Sequence, residues 1–359
     1  MNEHFHELTI AEVRRETDDA VSLRFDLPDE LREHFAFRAG QHVTLRAEID
    51  GEELRRNYSV CVSPHDGELR IAIKQITDGR FSSWANRMLA SGHAIELMPP
   101  HGSFTWVFDP DAARSYLGIA GGSGITPVLS LLKTALIEEP NSRFTLLYGN
   151  RHSGSIMFLE ELAGLKNRFM DRLAVYHFLE DEFDEEAPLF NGRLDRGKLA
   201  EVLGRLVDPR GLDAAFICGP GPMMDAAETA LLEAGTSADR ILIERFTVDR
   251  PTGAAAEAQE AERRAAAGRQ LMLTLDGRTR RLTFDSEHGS ILDNARAAGL
   301  PAPYACKAGV CATCRAKVVL GEVTMAANYG LSAEEVASGY VLTCQAVPKT
   351  NEVVLDYDA

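Results

Sequence analysis

Apolar and polar residues alternate over much of the stretch from residue 7 to about 105. Gly, Pro and Asp residues separate the alternating runs, as at 65–67. Several short strands at this spacing predict an antiparallel barrel or sandwich. The clearest alternating sets are Val21, Leu23, Phe25 and Leu27; Val43, Leu45, Ala47 and Ile49; and Leu69, Ile71 and Ile73.

Between about residues 112 and 248 the pattern changes to strands that alternate with helices. The runs SYLGIA, FTLLYG, LAVYHF, AAFICG and RILIERF predict strands, and helical periodicity separates them, for instance at 128–136 and 223–232. This alternation predicts a parallel sheet with helices on both faces. A cluster of six acidic residues at 180–186 is interpreted as a solvated loop.

A third segment begins after a stretch rich in Ala, Glu and Arg. That stretch, 251–270, is interpreted as a linker with some helical character. The run LMLTLDGRTRRLTF then predicts a hairpin that turns at Asp276-Gly277, and a short helical run begins at Ser290. We predict a first domain at 1–108, a second at 109–250, the linker at 251–270 and a third domain at 271–359.

Composition and charge narrow the class of protein. A chain of 359 residues, 45% hydrophobic and 26% charged, is typical of a globular protein with two or three domains. A net charge of -16 argues against a nucleic-acid partner, because no basic stripe is present. The first ten residues lack the features of a signal peptide, and no apolar run approaches the ~20 residues that span a bilayer. We expect a cytoplasmic protein with no membrane partner.

Four of the six cysteines have the spacing of metal ligands. Cys306, Cys311 and Cys314 form C-x4-C-x2-C, and Cys344 follows after 29 intervening residues. The plant-type [2Fe–2S] ligand pattern has this form, and the small residues between the cysteines leave backbone N–H groups near the sulfides. Zinc is the competing metal, but structural zinc sites usually combine two short Cys or Cys/His pairs, and this chain has one. Metal-ligand spacing also suits a reducing compartment.

The other two cysteines stand apart from this group. Cys61 lies in an apolar run and is interpreted as a small core residue. Cys218 ends a predicted strand at a Gly-Pro turn, a position where functional groups often collect. Its structural and functional interpretations both remain open.

Two glycine-rich turns follow predicted strands in the middle segment. The turn at 121–124 precedes a helix for which Thr126 is the predicted N-cap and Pro127 the first residue. The turn at 218–220 leads into a second helix. Glycines let the backbone approach a pyrophosphate, and helix N-termini favour anions. The first turn lacks the G-x-G-x-x-G fingerprint, but two such turns at one sheet edge predict a nucleotide site. Two ordinary tight turns are the alternative.

Arg151 follows a third strand of this segment, and no acidic residue lies at 152–159. A guanidinium at that position suits the 2′-phosphate of NADPH. A solvated loop residue or a contact to the pyrophosphate are the alternatives. We expect NADPH in preference to NADH.

The first segment contains a possible flavin-binding motif. The tetrapeptide Arg56-Asn57-Tyr58-Ser59 is expected at the end of the loop after the third strand. It contains an arginine suited to a phosphate, a tyrosine suited to the flavin ring and a serine suited to the flavin edge. Alone, it would indicate only a barrel tyrosine beside a surface arginine. Three further motifs follow it: IAIK at 71–74, GRFSS at 79–83 and PHGSF at 100–104.

The motifs together resemble those of the ferredoxin–NADP⁺ reductase superfamily, over about residues 5–359. Their order is R-x-Y-S, I-K, G-x-x-S, P-x-G-x-F, G-G-x-G-I-T-P, Y-G-N-R and C-G-P-x-P-M. With the C-terminal cysteine motif, the chain is similar to reductase components of multicomponent oxygenases, and among these it most resembles the phenylacetyl-CoA epoxidase type. The resemblance implies a multidomain protein with an antiparallel β-barrel flavin domain, an α/β parallel-sheet NAD(P)-binding domain and a C-terminal β-grasp plant-type ferredoxin domain.

The resemblance also implies which residues bind the cofactors. The residues that it assigns to the flavin are Arg56, Tyr58, Ser59, Ile73, Lys74, Phe81 and Ser82. Those that it places around the nicotinamide nucleotide are Gly121, Gly122, Gly124, Thr126, Arg151, Cys218, Gly219 and Pro220. Glu244 and Phe246 match a Glu-x-Phe motif beside the flavin ring, and the catalytic candidates are Ser59, Cys218 and Glu244. FAD is favoured over FMN, which occurs in phthalate-type reductases of similar domain order.

These cofactors predict an electron relay. A hydride carries two electrons and an iron–sulfur cluster accepts one, so a flavin is needed to divide the pair. We expect electrons to pass from NADPH through FAD to the [2Fe–2S] cluster and on to an oxygenase or epoxidase component in aromatic degradation. No acid–base triad is expected. A stand-alone NAD(P)H diaphorase or general electron donor, and a redox-sensing protein, are the alternatives.

Overall fold

The computed structural model describes residues 5–246 and 253–359. Residues 5–54 and 58–245 form one compact unit, and residues 253–359 lie in a second. The first unit contains a barrel and an α/β layer, and each is described in turn. Residues 251 and 252 of the predicted linker lie outside the described residues. Within the described ranges, no helix combines the length and the apolarity needed to cross a bilayer.

The barrel is antiparallel, as the alternating pattern predicts. Its strands pair in the order β4-β3-β6-β1-β2-β5, and a bridge between Val60 and Ile71 joins the two ends of this order. The alternating residues Val21, Leu23 and Phe25 are buried inside. The elements are β1 His6–Thr17, β2 Ala20–Asp26, β3 His42–Ile49, β4 Glu52–Ser59, β5 Leu69–Lys74, α1 Arg80–Met88 and β6 Ala94–Leu97.

The tetrapeptide Arg56-Asn57-Tyr58-Ser59 lies within strand β4, so the expectation that it ends a loop is wrong. The reason is the turn between β3 and β4. Asp50 and Gly51 both have positive φ angles, 55° and 76°, which is the geometry of a two-residue hairpin turn. The chain therefore reverses directly into a strand, and the motif is held by the sheet.

The α/β layer has the predicted parallel sheet, with strand order β11-β10-β7-β8-β9. Helices α2 and α3 pack on one face and α4 and α5 on the other, as Leu162 and Leu199 in the two separate cores illustrate. The elements are β7 Ser115–Gly121, α2 Ile125–Glu138, β8 Arg143–Asn150, α3 Leu159–Arg168, β9 Leu173–Leu179, α4 Arg196–Leu206, β10 Ala214–Cys218, α5 Gly221–Ala234 and β11 Ile241–Glu244.

Helix α2 begins earlier than the sequence suggests, so the prediction of Thr126 as its N-cap is wrong. A 3-10 turn at 122–124 runs directly into the helix, and Gly124 occupies the N-cap position. The Thr126 hydroxyl instead donates to the carbonyl of Ser123 at 3.0 Å. Pro127 is the third helical residue rather than the first. It is tolerated there because an N–H group in the first turn has no intrahelical partner.

Helix α2 also joins the α/β layer to the barrel. All of its residues from Ile125 to Leu136 are buried. Its Ser130 hydroxyl donates to the barrel carbonyl of Val62 at 2.6 Å, and its Thr134 hydroxyl lies 2.9 Å from that of Ser63. These polar contacts surround a hydrophobic core to which both layers contribute residues. The barrel and the α/β layer are therefore packed as one body.

The second unit has its own core and a mixed sheet of order β13-β12-β18-β14-β16. Asp276 and Gly277, with φ angles of 51° and 66°, form the predicted hairpin turn. Helix α6 occupies much of the predicted linker, and its last residue, Ala266, is fully buried. The elements are α6 Ala254–Ala266, β12 Gln270–Leu275, β13 Arg278–Thr283, α7 Ile291–Ala297, β14 Arg315–Leu320, β15 Val323–Met325, α8 Ala333–Ala337, β16 Tyr340–Leu342, β17 Ala346–Pro348 and β18 Glu352–Asp356.

We predict that Gly124→Ala destabilises the first unit. The φ of Gly124, -62°, suits any residue, but a Cβ would lie 2.1 Å from the carbonyl oxygen of Cys218. Because that atom is backbone, the clash is relieved only by separating two strand ends, and overpacking of this kind costs about 1–3 kcal/mol. Thermal unfolding followed by circular dichroism should show a lower Tm.

Gly164→Ala is the control for this substitution. Gly164 is an exposed residue of α3 with no neighbouring atom within 4 Å of an added Cβ. Alanine should leave the Tm unchanged or raise it, since glycine costs about 1 kcal/mol relative to alanine inside a helix. Equal Tm values for Gly124→Ala and the parent protein would contradict the close-contact interpretation.

Candidate functional site

The predicted nucleotide-binding residues lie where parallel strands of the α/β sheet end at a common edge. Strand β7 ends at Gly121, β8 at Asn150, β10 at Cys218 and β11 at Glu244. In register, Cys218 pairs with Ala120 on one side and with Glu244 on the other. The carboxyl edge of such a sheet is where open α/β proteins bind their ligands.

The two glycine turns at this edge are in direct contact. A Cβ on Gly121 would lie 2.6 Å from the ring of Pro220, and one on Gly219 would lie 2.9 Å from the backbone nitrogen of Gly121. No side chain caps the first turn of α2 or of α5. The N–H of Ile125 already donates to the carbonyl of Gly122, and Pro127 and Pro222 have no N–H. What the two helix starts offer is therefore mainly a surface of glycine backbone, which a pyrophosphate can approach closely.

Arg151 is exposed beyond the end of β8, and the adjacent Asn150 has a buried side-chain amide nitrogen with no hydrogen-bond partner among the described residues. Acidic groups approach Arg151 in space although none follows it closely in sequence. Asp19 lies 3.9 Å from its guanidinium. A hydrogen bond from Arg193 is the main cause that lowers the pKa of Glu180, and the charge of Arg151 also contributes to lowering it.

Two histidines lie close to the catalytic candidate Glu244, in a buried to half-buried group of titratable side chains that also includes Cys218. His42, at the start of β3, lies with its Nδ1 3.7 Å from Glu244. The ring of His101, in the PHGSF motif, is 4.3 Å from that of His42 between centroids. Neither histidine was predicted to belong to this group. Such a histidine has no distinctive sequence signal, because its neighbours come from other elements.

Burial determines the protonation of this group. It lowers the pKa of His42 well below the usual value, and His101 lowers it further, so the imidazole is neutral at pH 7. Burial also raises the pKa of the Cys218 thiol, and the nearby Glu244 carboxylate adds to the effect. Cys218 is therefore a neutral, fully buried thiol that is unsuited to acting as a thiolate nucleophile.

The predicted flavin-binding residues lie at the ends of β4 and β5 and in the first turn of α1. Tyr58 faces Phe81, with ring centroids 5.8 Å apart, and Phe81 is buried in the barrel core. Ile73 is also fully buried. The Ser82 hydroxyl donates to the carbonyl of Gly79 at 3.1 Å, so it supports the turn before α1.

Ser59 and Arg56 contrast in their surroundings. The Ser59 hydroxyl is buried and has no hydrogen-bond partner among the described residues. A buried polar atom without a partner is costly, and such atoms often face a ligand. The flavin edge expected at this position is a suitable partner. Arg56 is exposed, and its guanidinium donates to its neighbour's carbonyl, that of Arg55, at 2.7 Å.

The four C-terminal cysteines are brought together in two pairs, Cys306 with Cys311 and Cys314 with Cys344. Hydrogen bonding to its partner, reinforced by burial, raises the pKa of Cys306 and of Cys314. A binuclear cluster needs two thiolates on each of two irons, and two pairs match that demand. Among the described residues, no group of three or more His, Cys, Asp or Glu side chains has the arrangement of a single metal site.

The loop that carries the first three cysteines has an unusual backbone. Lys307 and Ala312 have positive φ angles of 52° and 53°, which non-glycine residues seldom adopt outside constrained sites. The backbone N–H of Ala308 donates to the sulfur of Cys306 at 3.3 Å. Gln345, which the sequence analysis missed, donates to the carbonyl of Lys307 at 3.0 Å and so joins this loop to the neighbourhood of the fourth cysteine.

Comparison with known protein families finds three matches along the chain. An oxidoreductase FAD-binding domain matches residues 7–106, and an oxidoreductase NAD-binding domain matches residues 119–229. A 2Fe-2S iron-sulfur cluster binding domain matches residues 273–349. The predicted flavin, nicotinamide nucleotide and cluster are thereby confirmed as the cofactors of the three domains.

The relatives that match this chain over nearly its full length include components of two oxygenase systems. One component of 1,2-phenylacetyl-CoA epoxidase from Escherichia coli (strain K12) is 45% identical over 99% of this chain and 98% of its own length. The ferredoxin reductase component of 3-ketosteroid-9-alpha-monooxygenase from Rhodococcus rhodochrous is 34% identical over 98% of this chain and 96% of its own length.

A solved structure has the same arrangement of domains along the chain. This structure is phthalate dioxygenase reductase, described as a modular structure for electron transfer from pyridine nucleotides to [2Fe-2S]. The match covers 98% of each chain, with a TM-score of 0.59 and 23% sequence identity. This similarity supports the fold. The expected combination of a flavin barrel, a nucleotide-binding α/β domain and a ferredoxin domain is confirmed.

We predict that Ser59→Ala has opposite effects on stability and on flavin binding. Removing a buried hydroxyl without a partner should stabilise the flavin-free protein by about 1 kcal/mol. The same change removes one hydrogen bond to the flavin, so the Kd should rise about three- to tenfold. Urea unfolding of flavin-free protein and fluorescence titration with FAD measure the two effects.

Ser63→Ala is the matched control, because Ser63 is a buried barrel serine whose hydroxyl has partners at Thr134 and His65. This variant should be less stable than the parent protein and bind FAD equally well. If Ser59→Ala behaved in the same way as Ser63→Ala, the Ser59 hydroxyl would have no role toward the flavin.

Proposed function

The chain belongs to the family of oxygenase reductase components that carry FAD-, NAD- and [2Fe–2S]-binding domains on one polypeptide, and from this premise we propose which oxygenase it serves. Its partner is the oxygenase component of a phenylacetyl-CoA epoxidase, and its electron donor is NADPH. The observation that carries the partner assignment is the full-length similarity to the E. coli epoxidase component, which exceeds that to the ketosteroid monooxygenase component.

The chain's own residues hold and orient the cofactors. We assign the pyrophosphate of the nucleotide to the contacting glycine turns at 121–124 and 218–220. Ser59, at the end of β4, is assigned to the flavin edge, and Cys218 and Glu244 to the region where the nicotinamide meets the flavin. The flavin, when bound, accepts a hydride and releases electrons singly. Cys306, Cys311, Cys314 and Cys344 are assigned as the ligands of the cluster that receives them.

The packing of the barrel against the α/β layer supports this assignment. Helix α2 carries the first glycine turn at its N-terminus, and its Ser130 and Thr134 contact the barrel directly. Hydride transfer requires the donor and acceptor rings to be held within a narrow range of distance and angle. Because α2 packs against both layers, it can hold the proposed nucleotide site in a fixed position relative to the barrel.

Electron delivery is tested by reconstitution with the purified oxygenase component of a phenylacetyl-CoA epoxidase. With NADPH, the wild-type protein should support epoxide formation in a ratio near one per NADPH. A ketosteroid monooxygenase component is the comparison partner and should give little product. Equal rates with both partners would support a general electron donor instead.

The same assay with Cys311→Ser tests the order of electron transfer. The wild-type protein should contain about two iron atoms per chain, and loss of one thiolate should remove most of them. Product formation should then fall at least about a hundredfold. Flavin reduction by NADPH, followed by bleaching of the flavin absorbance, should change less than about twofold. Cys61→Ala is the control, because Cys61 is buried in the first unit and should retain full iron. Loss of flavin reduction in folded Cys311→Ser would contradict the relay.

For Arg151→Ala we predict an increase of about tenfold or more in the KM for NADPH, roughly 1.4 kcal/mol of lost binding. The KM for NADH should change less than about threefold, because NADH has no 2′-phosphate. Steady-state reduction of ferricyanide with each nucleotide measures the effect. Arg143→Ala, at the opposite end of β8 and also exposed, is the control. Equal increases in KM for both nucleotides would indicate that Arg151 contacts the pyrophosphate instead.

A further inference from the structure

One carboxylate connects a predicted flavin-binding lysine with the predicted nucleotide-binding arginine. Asp19 lies in the turn between β1 and β2 of the barrel. Its Oδ1 accepts hydrogen bonds from the Lys74 ammonium and from the Thr17 hydroxyl, each at 2.7 Å. Its Oδ2 lies 3.9 Å from Nη2 of Arg151, which belongs to the α/β layer. Residues far apart in the sequence therefore share one anion.

The position of the Asp19 carboxylate is well defined by its neighbours. Its own backbone carbonyl accepts a hydrogen bond from the N–H of Gln75 at 2.6 Å, which ties the turn to the end of β5. Burial acts to raise the pKa of Asp19, but hydrogen bonds from Lys74 and Thr17 and the charges of Lys74 and Arg151 outweigh it and lower the pKa. The group is therefore a fixed negative charge at neutral pH.

The two cations are not equivalent partners of this charge. The Lys74 side chain is 15% exposed and makes a short ion pair, whereas Arg151 is 65% exposed and makes a long one. Lys74 is thus held by Asp19, and Arg151 is only weakly attracted. A phosphate arriving at Arg151 meets a guanidinium that is available for binding, but also a carboxylate beside it.

We propose that Asp19 is a specificity-determining residue that limits the preference for NADPH over NADH. The inference rests on the proposed function, in which Arg151 receives the 2′-phosphate. Asp19 repels that dianion and competes for Arg151, whereas it exerts no comparable repulsion on the neutral 2′-hydroxyl of NADH. Removing the charge should therefore favour the phosphorylated nucleotide selectively.

The test is Asp19→Asn in the full-length protein with its cofactors bound. The ratio of kcat/KM for NADPH to kcat/KM for NADH should rise about three- to fivefold, the range expected for a partly exposed charge pair. The rise should shrink at high salt, because exposed charges are screened. Asp18→Asn is the matched control: this adjacent residue is exposed, and the substitution removes the same charge. Its ratio should stay within about 1.5-fold of the wild-type value.

Binding is measured separately from turnover with two adenosine probes. Calorimetry with adenosine 2′,5′-bisphosphate should show about three- to fivefold tighter binding to Asp19→Asn, and 5′-AMP, which lacks the 2′-phosphate, should bind almost unchanged. In the Arg151→Ala background, Asp19→Asn should have much less effect on either readout, because the two residues act on the same phosphate. Asp19→Ser serves as a second substitution should the asparagine variant lose flavin.

Three results would overturn the inference. The first is a ratio of kcat/KM for NADPH to that for NADH that is unchanged or lower in both Asp19 variants. The second is an equal rise of this ratio in Asp18→Asn, and the third is an effect of Asp19→Asn that stays undiminished in the Arg151→Ala background. Failure of the proposed function looks different. In that case the wild-type protein would oxidise neither nucleotide, or Arg151→Ala would leave the discrimination between the two probes intact.

Discussion

Burial of helix α2 on both sides is the constraint on which the arrangement of the first unit depends. One side packs on the parallel sheet, and the other meets the barrel through Ser130 and Thr134. Lys133, at the same level, makes ion pairs of 2.6 Å with Asp66 of the barrel and Glu161 of α3. The N-terminus of this helix is the first glycine turn. The position of the proposed nucleotide site relative to the barrel is thus set by the packing of one helix.

The second unit has a different requirement in the proposed function, which is to hold four thiols around an inorganic cluster. Three of them lie on a loop whose backbone takes positive φ angles at Lys307 and Ala312, and the fourth follows strand β16. Gln345 connects these two parts by its hydrogen bond to the Lys307 carbonyl. The loop alone supplies three of the four thiols. The sheet is needed because it positions Cys344, the partner of Cys314 in the second pair.

Much of the fold and the cluster could be predicted from the sequence because the signals are local. The period of two in the barrel strands, the Asp276-Gly277 turn and the cysteine spacing each depend on residues close together in the chain. The Asp50-Gly51 turn carried the same kind of signal, and overlooking it misplaced Arg56 and its neighbours in a loop. The start of α2 was misjudged because a 3-10 turn replaced the expected cap.

The groups that sequence reasoning missed are those assembled across elements. Asp19 is more than 130 positions from Arg151, and His42 is about 200 from Glu244, so no local pattern connects either pair. The sequence supported NADPH because no acid follows Arg151 closely, yet the fold supplies one from the barrel. Absence of a residue type from a sequence window therefore says little about the charges around a side chain in the folded protein.

The shared core has a consequence for how such proteins can be recombined. Barrel residues such as Ala72 and Phe104 lie in the same hydrophobic cluster as Val128 of α2, so a gene break between the barrel and the α/β layer would expose apolar surface on both products. Among the described residues, the core of the second unit is formed by residues from 266 onward. A break just before α6 divides neither of these two described cores. Recombination at that position therefore preserves both cores, whereas recombination between the barrel and the α/β layer does not.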